Sequence, residues 1–567
     1  MHLKANLLFQ LRLFSIAILP LGLTLQATAQ APDEQGVFFD AVSVDIVNVE
    51  VFVTNKKDVP VTGLAAEDFE LFVDGKLTPL SNFYAEAGGT AVSLSSGQEK
   101  AVEIPKESNP ATPEKASAQQ LHLMVFIDNL NMRPVNRKRV FKYLREFLSN
   151  SLDPEDLVAV ASLDTNLVFR TEFVRDRSYL NRVLDEVEKV GSPNAALSSE
   201  RQRIFNDIQT DQLPSAKRSI FSRIQVAARS KFRSGKASAE ALGVIVNSLA
   251  GIPGRRAILQ VGDGVPTNPG ESMYLAWSNR FGADGPYSSA IGPYDLMRDF
   301  QELARRANAA RVTFYTLDAE ADYRSFARSG SFAGGVENYV TATVIEIAES
   351  NARAPLELAA VDTGGRRVQA SGRFAQNLAK LGNDFASYYS LGFSAPQGSN
   401  RAKHRIEVKV AGKGLRVRHR QAYEDKGADR RSGEAVIAAL LYNTTANPLG
   451  VGLEKLALGT RDDGAQVLPV KVKIPISRVG FLPQGDQHSA QLSFFVTVKD
   501  ARGNLRPVQK VPFKLRIPAD RFEAEQDTTA DYELPVVLHA GDQQVAIGVR
   551  DEIGGTSSTL RLELPQG

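Results

Sequence analysis

Cysteine is absent from all 567 residues. That excludes disulfides, thiolate metal sites, a cysteine nucleophile and a lipid anchor built on a lipobox cysteine. Histidine is scarce: His2, His122, His404, His419, His488 and His539 are scattered. None forms a metal-spaced pair and none lies in an H-E-x-x-H motif. The chain carries no G-x-S-x-G elbow and no P-loop. No catalytic residues are therefore assigned, and the chain is not expected to be an enzyme. Excess charge is also lacking. A formal net charge of +2 gives bulk electrostatics no reason to favour nucleic acid or an anionic membrane. Beyond the N-terminus no segment is long and apolar enough to cross a bilayer, which takes about 20 residues. The mature chain is expected to have no transmembrane segment.

The N-terminus has the three parts of a secretory signal. Lys4 and Arg12 supply positive charge, Leu13 to Leu25 is a short apolar core broken by Pro20, and Ala27-Thr28-Ala29 is a small-x-small cleavage site. Residues 1–29 are read as a signal peptide, with export to the periplasm or the cell exterior. A cysteine-free chain suits an oxidising compartment, because it cannot form wrong disulfides.

The remaining length is too great for one ordinary core. Residues 37–87 read as a small β module. VDIVNVEVFV alternates apolar and polar with period two, and Asp74-Gly75 is a hairpin dipeptide. Residues 88–120, rich in Ser, Ala, Pro, Lys and Glu, read as a flexible linker. From 121 to 424 strands alternate with helices. LHLMVFID, Leu157 to Leu163, RRAILQVGDG and RVTFYTLDA are apolar runs of the kind found in a parallel sheet covered on both faces. Leu167 to Val174 reads as an edge hairpin and YYSLGF as a further strand. The pattern predicts a doubly wound, Rossmann-like α/β sheet. Residues 425–467 read as a second linker, with a short helix near Ala435 to Tyr442. Residues 468–567 carry short strands at regular spacing, the signature of an Ig-like β-sandwich.

Two segments exceed a minimal α/β fold. Ser198 to Lys236 is polar and basic. It reads as a long solvated helix packing one face on the sheet, or as a docking surface for an acidic partner. Thr267 to Gly292 is a long loop that holds the only tryptophan, Trp277. It follows the carboxyl end of a strand, where α/β sheets bind ligands.

Seven segments in order carry a family resemblance: VTGLAAEDFELFVDGK, LMVFIDNLN, LVFRTEFVRDRSYL, RRAILQVGDGVPT, LAAVDTGGR, YYSLGFS and HRIEVKVAGKGLRVRHRQAY. Together, over roughly Val42 to Tyr423, they resemble the exported bacterial proteins related to the von Willebrand factor type A domain, best known from acidobacteria. The resemblance implies a binding role rather than a known ligand. It also implies a metal-ion-dependent adhesion site, with Asp-x-Ser-x-Ser after the first strand, a Thr in a second loop and an Asp in a third. Mg²⁺ in such a site wants hard oxygen ligands in near-octahedral geometry.

Mapped residue by residue, Asp128 holds the first position and Asp263 the third-loop acid. The two Ser positions fall on Leu130 and Met132, which cannot ligate. The Thr position falls near Val174, with Thr171 close by. Three readings stay open: a degenerate site without metal, a metal held by Asp128, Asp263 and irregular ligands such as the amides of Asn129 and Asn131, and an acid pair with another use. Mg²⁺ is the one cofactor the resemblance raises, and the missing hydroxyls disfavour it. Unmetallated carboxylates need compensation, for which Arg133 and Arg170 are candidates. In the plainest case Asp128 caps the following turn.

The sequence thus predicts an exported, non-enzymatic protein of the binding or adhesion type. Its partner is an unnamed protein, and its face is formed by Asp128 to Arg133, Asp164 to Val174 and Asp263 to Gly292. The alternatives are a structural envelope scaffold making contacts through its β domains and a hydrolase with an unrecognised site.

Overall fold

The computed structural model describes residues 45–564 apart from 88–89, 96–101, 106–119, 192–194, 283–291, 320–338, 370–373, 396–401, 462–465, 502 and 540. The expected signal peptide lies outside the described residues. In chain order, strands β1 (Asp45–Thr54), β2 (Phe69–Val73), β3 (Lys76–Leu77), β4 (Asn82–Ala87), β5 (Thr90–Ser95) and β6 (Val102–Pro105) come first. Asp74 and Gly75 both have positive φ, 50° and 76°, as the two-residue β2–β3 turn requires. An α/β segment follows: β7 (Leu121–Asp128), α1 (Pro134–Asn150), β8 (Leu157–Leu163), β9 (Leu167–Phe169), α2 (Arg177–Lys189), α3 (Ala195–Thr210), α4 (Ala216–Leu249), β10 (Arg255–Gly262), α5 (Glu271–Phe281), α6 (Met297–Ala309), β11 (Val312–Asp318), α7 (Ala342–Asp362), β12 (Arg367–Gln369) and α8 (Phe374–Ala386).

Among the described residues this segment forms one six-stranded sheet in the order β12-β11-β10-β7-β8-β9. Its pairings are parallel except for the β8–β9 edge hairpin. Alternate residues of β7 face opposite layers. Leu123, Val125 and Ile127 pack with α1, α2 and α8 through Phe141, Leu144, Leu184 and Leu381. Met124 and Phe126 pack with α4, α6 and α7 through Leu242, Ile245, Phe300 and Ala359. Both faces are covered, which is why β7 reads as an unbroken apolar run. The chain runs from β7 outward to β8, then returns to β10 on the other side of β7. The carboxyl ends of β7 and β10 therefore frame the topological switch point.

The first strands do not form a module of their own. β1 pairs antiparallel with β13 (Ser387–Ala395) and with β15 (Arg416–His419). β2 pairs with β14 (Lys403–Val410), which pairs in turn with β16 (Ala422–Glu424). Residues 45–105 and 387–424 thus share sheets, and the α/β segment is inserted between them. The boundaries 37–87 and 121–424 are corrected accordingly. Period-two alternation shows that β1 must bury one face, and it is silent on which distant strand completes the sheet. Arg255 at the start of β10 fastens the joint. It donates to the Phe385 carbonyl at 3.1 Å, lies 3.4 Å from the Glu50 carboxylate and stacks over Tyr388 with 3.5 Å to the ring centroid.

The 88–120 linker is corrected where it is described, since β5 and β6 extend the β4 edge. The 425–467 linker is also largely structured. Helix α9 (Ala428–Tyr442) touches both neighbours: Tyr442 reaches the Ser248 hydroxyl at 2.5 Å, while Val436 and Leu440 pack on Phe495 and Ala546. Beyond it, β17 (Gly452–Lys455), β18 (Gly459–Thr460) and β19 (Gln466–Pro475) form one antiparallel sheet with β23 (Thr529–Leu538). β20 (Leu482–Gln484), β21 (Gln487–Asp500), β22 (Gln509–Pro518), β24 (Asp542–Asp551) and β25 (Ser557–Glu563) form a second. Val470 and Val472 of the first sheet and Phe494 and Ile547 of the second share one apolar cluster, so the two sheets pack face to face. No helix among the described residues is long and apolar enough to cross a membrane.

Candidate functional site

β7 ends on Asp128, whose backbone leaves the strand and enters a 3-10 turn over Asn129–Asn131. The Asp128 carboxylate caps that turn, accepting from the Asn131 backbone N–H at 3.0 Å. It also accepts from Asn131 Nδ2 at 2.9 Å and from the Ser238 hydroxyl at 2.7 Å. Ser238 comes from α4, which approaches closely because small residues line its inner face. A Cβ on Gly235 would fall 2.4 Å from a Leu296 methyl.

Asp263 follows β10 by one residue. It accepts from the Arg133 backbone N–H at 2.6 Å, from Arg133 Nε at 3.3 Å and from Asn136 Nδ2 at 2.8 Å. Gly264 next to it has φ +83°, and a Cβ there would lie 2.6 Å from the Ala352 carbonyl oxygen of α7. Both acids are buried. Burial pushes each carboxyl above its ordinary range. Ser238, Asn131 and Lys231 pull Asp128 part of the way back, and Arg133 and Asn136 do the same for Asp263.

The asparagines are turned by their neighbours. Asn131 sits between the Asp128 carboxylate and the Lys231 ammonium, which donates to its Oδ1 at 2.8 Å. An amide in that position must present nitrogen to the acid and oxygen to the cation. Asn129 is fixed in the same way. Its Nδ2 donates to Asp164 at 2.6 Å and its oxygen accepts from Arg137. Arg170 closes on Asp164 at 2.5 Å.

Leu130 and Met132 serve the fold. Leu130 packs toward the α4 layer and Met132 is buried in the α1 layer, so the turn is pinned to both cores. Val174 and Thr171 are not brought to the site. Val174 bridges to Val158, and the Thr171 hydroxyl accepts from the Val160 N–H at 2.9 Å. Both therefore lie beside the first half of β8, whereas Asp128 is level with Leu163 at its last residue. Of the expected second loop only the Asp164–Asn166 turn reaches this edge, because an antiparallel hairpin carries its second strand back down the sheet. The expected Thr267 to Gly292 loop is in part helix α5, with Trp277 buried against Phe221 and Phe281; residues 283–291 lie outside the described residues.

Mg²⁺ needs several oxygens turned toward one point. Here the carboxylate oxygens accept from protein donors, and the amide oxygens of Asn129 and Asn131 face Arg137 and Lys231. The cationic groups of Lys231 and Arg133 border the same space. The donor set does not fit a divalent ion. Among the described residues no group of three or more His, Cys, Asp or Glu is placed to hold a metal.

Ser238, Lys231 and Asn136 are site residues that sequence reasoning missed. Ser238 and Lys231 lie in the basic segment and its continuation, where only the helical repeat of small residues, Ser234, Gly235 and Ser238, signals a close approach. Among the described residues the histidines form no cluster of metal ligands. His122 is buried edge-on against Phe173, and burial lowers it to about 4. His404 bridges Asp74 and Asp425 in the β unit. His488 stacks on Phe522 in the C-terminal sheets.

The parallel sheet, its helices on both faces and two acids at the switch point define a doubly wound α/β domain. No protein-family model matches the chain, and no curated protein matches it. Among solved structures it is similar to an aerotolerance-related membrane protein from Bacteroides fragilis, at 11% identity over 47% of this chain and 98% of that one, with a TM-score of 0.22. It is also similar to a von Willebrand factor type A protein from Catenulispora acidiphila, at 8% identity over 88% of this chain and 72% of that one, with a TM-score of 0.20. A third is the manganese-loaded TRAP protein of Plasmodium vivax, at 12% identity over 55% and 96%, with a TM-score of 0.22. At such scores the functional reading rests on the geometry of this chain.

Proposed function

We propose that this is an exported, non-enzymatic binding protein that engages a protein partner through the carboxyl edge of its type A-like sheet, without a divalent ion. One observation carries the reading. At the switch point the two strand-end acids are held by Asn131, Ser238, Arg133 and Asn136, while the surrounding loops frame a cavity lined by Leu130, Asn131, Arg133 and Lys231. A cleft at that end of an α/β sheet is where ligands bind.

The experiment is affinity capture from an envelope extract, in EDTA and in Mg²⁺, with three forms of the mature chain. Wild type should retain the same partner in both buffers. Arg201→Glu with Ser272→Arg, on the cavity rim, should lose it, and Lys514→Glu with Arg516→Glu, on the exposed face of β22, should keep it. Loss only in the β22 variant would replace this reading with the scaffold alternative.

A further inference from the structure

The amino edge of the α/β sheet, opposite the switch point, meets the first β strands and gathers arginines there. Arg255 and Arg256 open β10, and Arg311 immediately precedes β11, whose first residue, Val312, is level with Arg256. Arg420 follows β15 by one residue, next to His419, which pairs with Val51 of β1. Arg311 reaches the Ile46 carbonyl of β1 at 3.5 Å. The acids of this joint are already engaged. Glu50 lies 3.4 Å from Arg255 Nε and accepts from the Thr313 hydroxyl at 3.4 Å. Glu434 accepts from Lys426 at 2.7 and 2.9 Å and from Arg430 at 3.2 Å.

Arg420 is left without an answer. It is only 3% exposed. Glu50 attracts it and Arg311 repels it, yet neither its Nε nor its Nη1 has an acceptor. Arg256 repeats the pattern: its Nη1 donates to the Ala250 carbonyl at 2.8 Å, while its buried Nε has no partner. Burial, then repulsion from Arg311 and Arg420, lowers Arg256 to about 9. Burial, offset in part by Glu50, lowers Arg420 to about 10. Both stay charged at neutral pH. A buried charge is stable only when it is paired, and an unmet buried donor calls for an ion or a water. The space is small. Next to Ala250, a Cβ on Gly251 would overlap the Glu434 carbonyl. Such packing suits a monatomic anion better than an oxyanion.

We propose that this joint holds one buried chloride ion, with Arg420 Nε and Nη1 and Arg256 Nε as its donors. The ion fastens the first β strands to the amino edge of the α/β sheet. It lies at the opposite end of the sheet from the binding face, and the inference stands apart from the function proposed above. A buried water is the rival. Water would satisfy the donors and leave the guanidinium charges uncompensated, so charge favours the anion.

Two measurements on residues 30–567 test it. Bromide carries the same charge and scatters anomalously, so crystals grown in sodium bromide should show a buried anomalous peak in contact with Arg420 Nε and Nη1. In solution, urea unfolding is followed by Trp277 fluorescence while sodium chloride replaces sodium gluconate at constant ionic strength. The wild-type midpoint should rise with chloride, as for any ligand that binds only the folded state. Arg420→Met should lose that dependence: it should fall below wild type in chloride and not in gluconate, where it removes a buried charge that nothing pairs. Arg256→Met should need about tenfold more chloride for the same rise, the scale of one charged hydrogen bond. A water in place of bromide, a wild-type midpoint indifferent to chloride, or an equal chloride dependence in Arg420→Met would overturn the proposal. If neither variant folds, the bromide map decides: a peak at Arg420 supports the site and its absence overturns it.

Discussion

Removing the cap at the end of β7 gives a direct measure of what Asp128 does. The Ser238 hydroxyl donates to its carboxylate at 2.7 Å. A hydrogen bond to a charged group contributes about 1.5–3 kcal/mol, and Ser238→Ala should cost near the lower end, about 1.5 kcal/mol, because Asn131 remains as a donor. Asp128→Ala removes the acceptor of Ser238, of the Asn131 N–H and of Asn131 Nδ2 together. Each buried donor left unpaired costs about 1–3 kcal/mol. The variant also relieves the burial that raises this carboxyl, so the net loss should be about 2–4 kcal/mol rather than the full sum. The double variant should show a coupling of about 1–2 kcal/mol. Trp277 is the only tryptophan and is buried in α5, so its fluorescence during urea unfolding reports on the α/β segment and not on the β sheets. Single variants within about 0.5 kcal/mol of wild type, the range of a neutral surface change, or strictly additive losses, would refute the cap.

Three further outcomes follow from the architecture. His404 donates toward Asp74 and Asp425 at 2.8 and 3.1 Å; burial alone would lower it, but the two carboxylates outweigh burial and hold it above its ordinary 6.5. Its contribution is therefore complete below about pH 6.5 and lost as pH rises through the raised value, so the urea midpoint of wild type should exceed that of His404→Gln more at pH 6 than at pH 8.5; an equal gap at both would contradict this. Arg255→Met leaves Glu50 nearly buried without its partner and should cost about 3–5 kcal/mol by thermal melting, with part recovered in Arg255→Met/Glu50→Gln; a melt unchanged from wild type would show the joint is not fastened there. Expression of 121–567 should give an aggregating product, because β13 loses both β1 and β4 and presents an open edge, whereas 121–386 should stay soluble; the reverse result would restore the separate N-terminal module.

Much of the α/β core was legible because its signal is local. Buried parallel strands are apolar throughout, and β7, β8, β10 and β11 stand where such runs occur. The position of Asp128 at a strand end was equally plain. What the sequence hid is non-local. Nothing in VDIVNVEVFV names Tyr389 or Leu391 as the neighbours of Val51 and Val49, so an inserted domain looked like a succession of modules. The site was half legible for the same reason. That Leu130 and Met132 bring no hydroxyl after Asp128 is plain along the chain, but that Ser238 and Lys231 occupy the vicinity depends on the angle at which α4 crosses the sheet. Val174 was misplaced because a motif aligned by spacing takes no account of a hairpin that turns back.

Asp128 and Asp263 accept from protein donors at the switch point, an arrangement that leaves no open oxygen set for an ion. Calorimetric titration of residues 30–567 with Mg²⁺ and with Mn²⁺, alongside Asp128→Ala, separates the two cases. No saturable heat from a site at the switch point is expected in either protein. A micromolar site present in wild type and abolished by Asp128→Ala would contradict it.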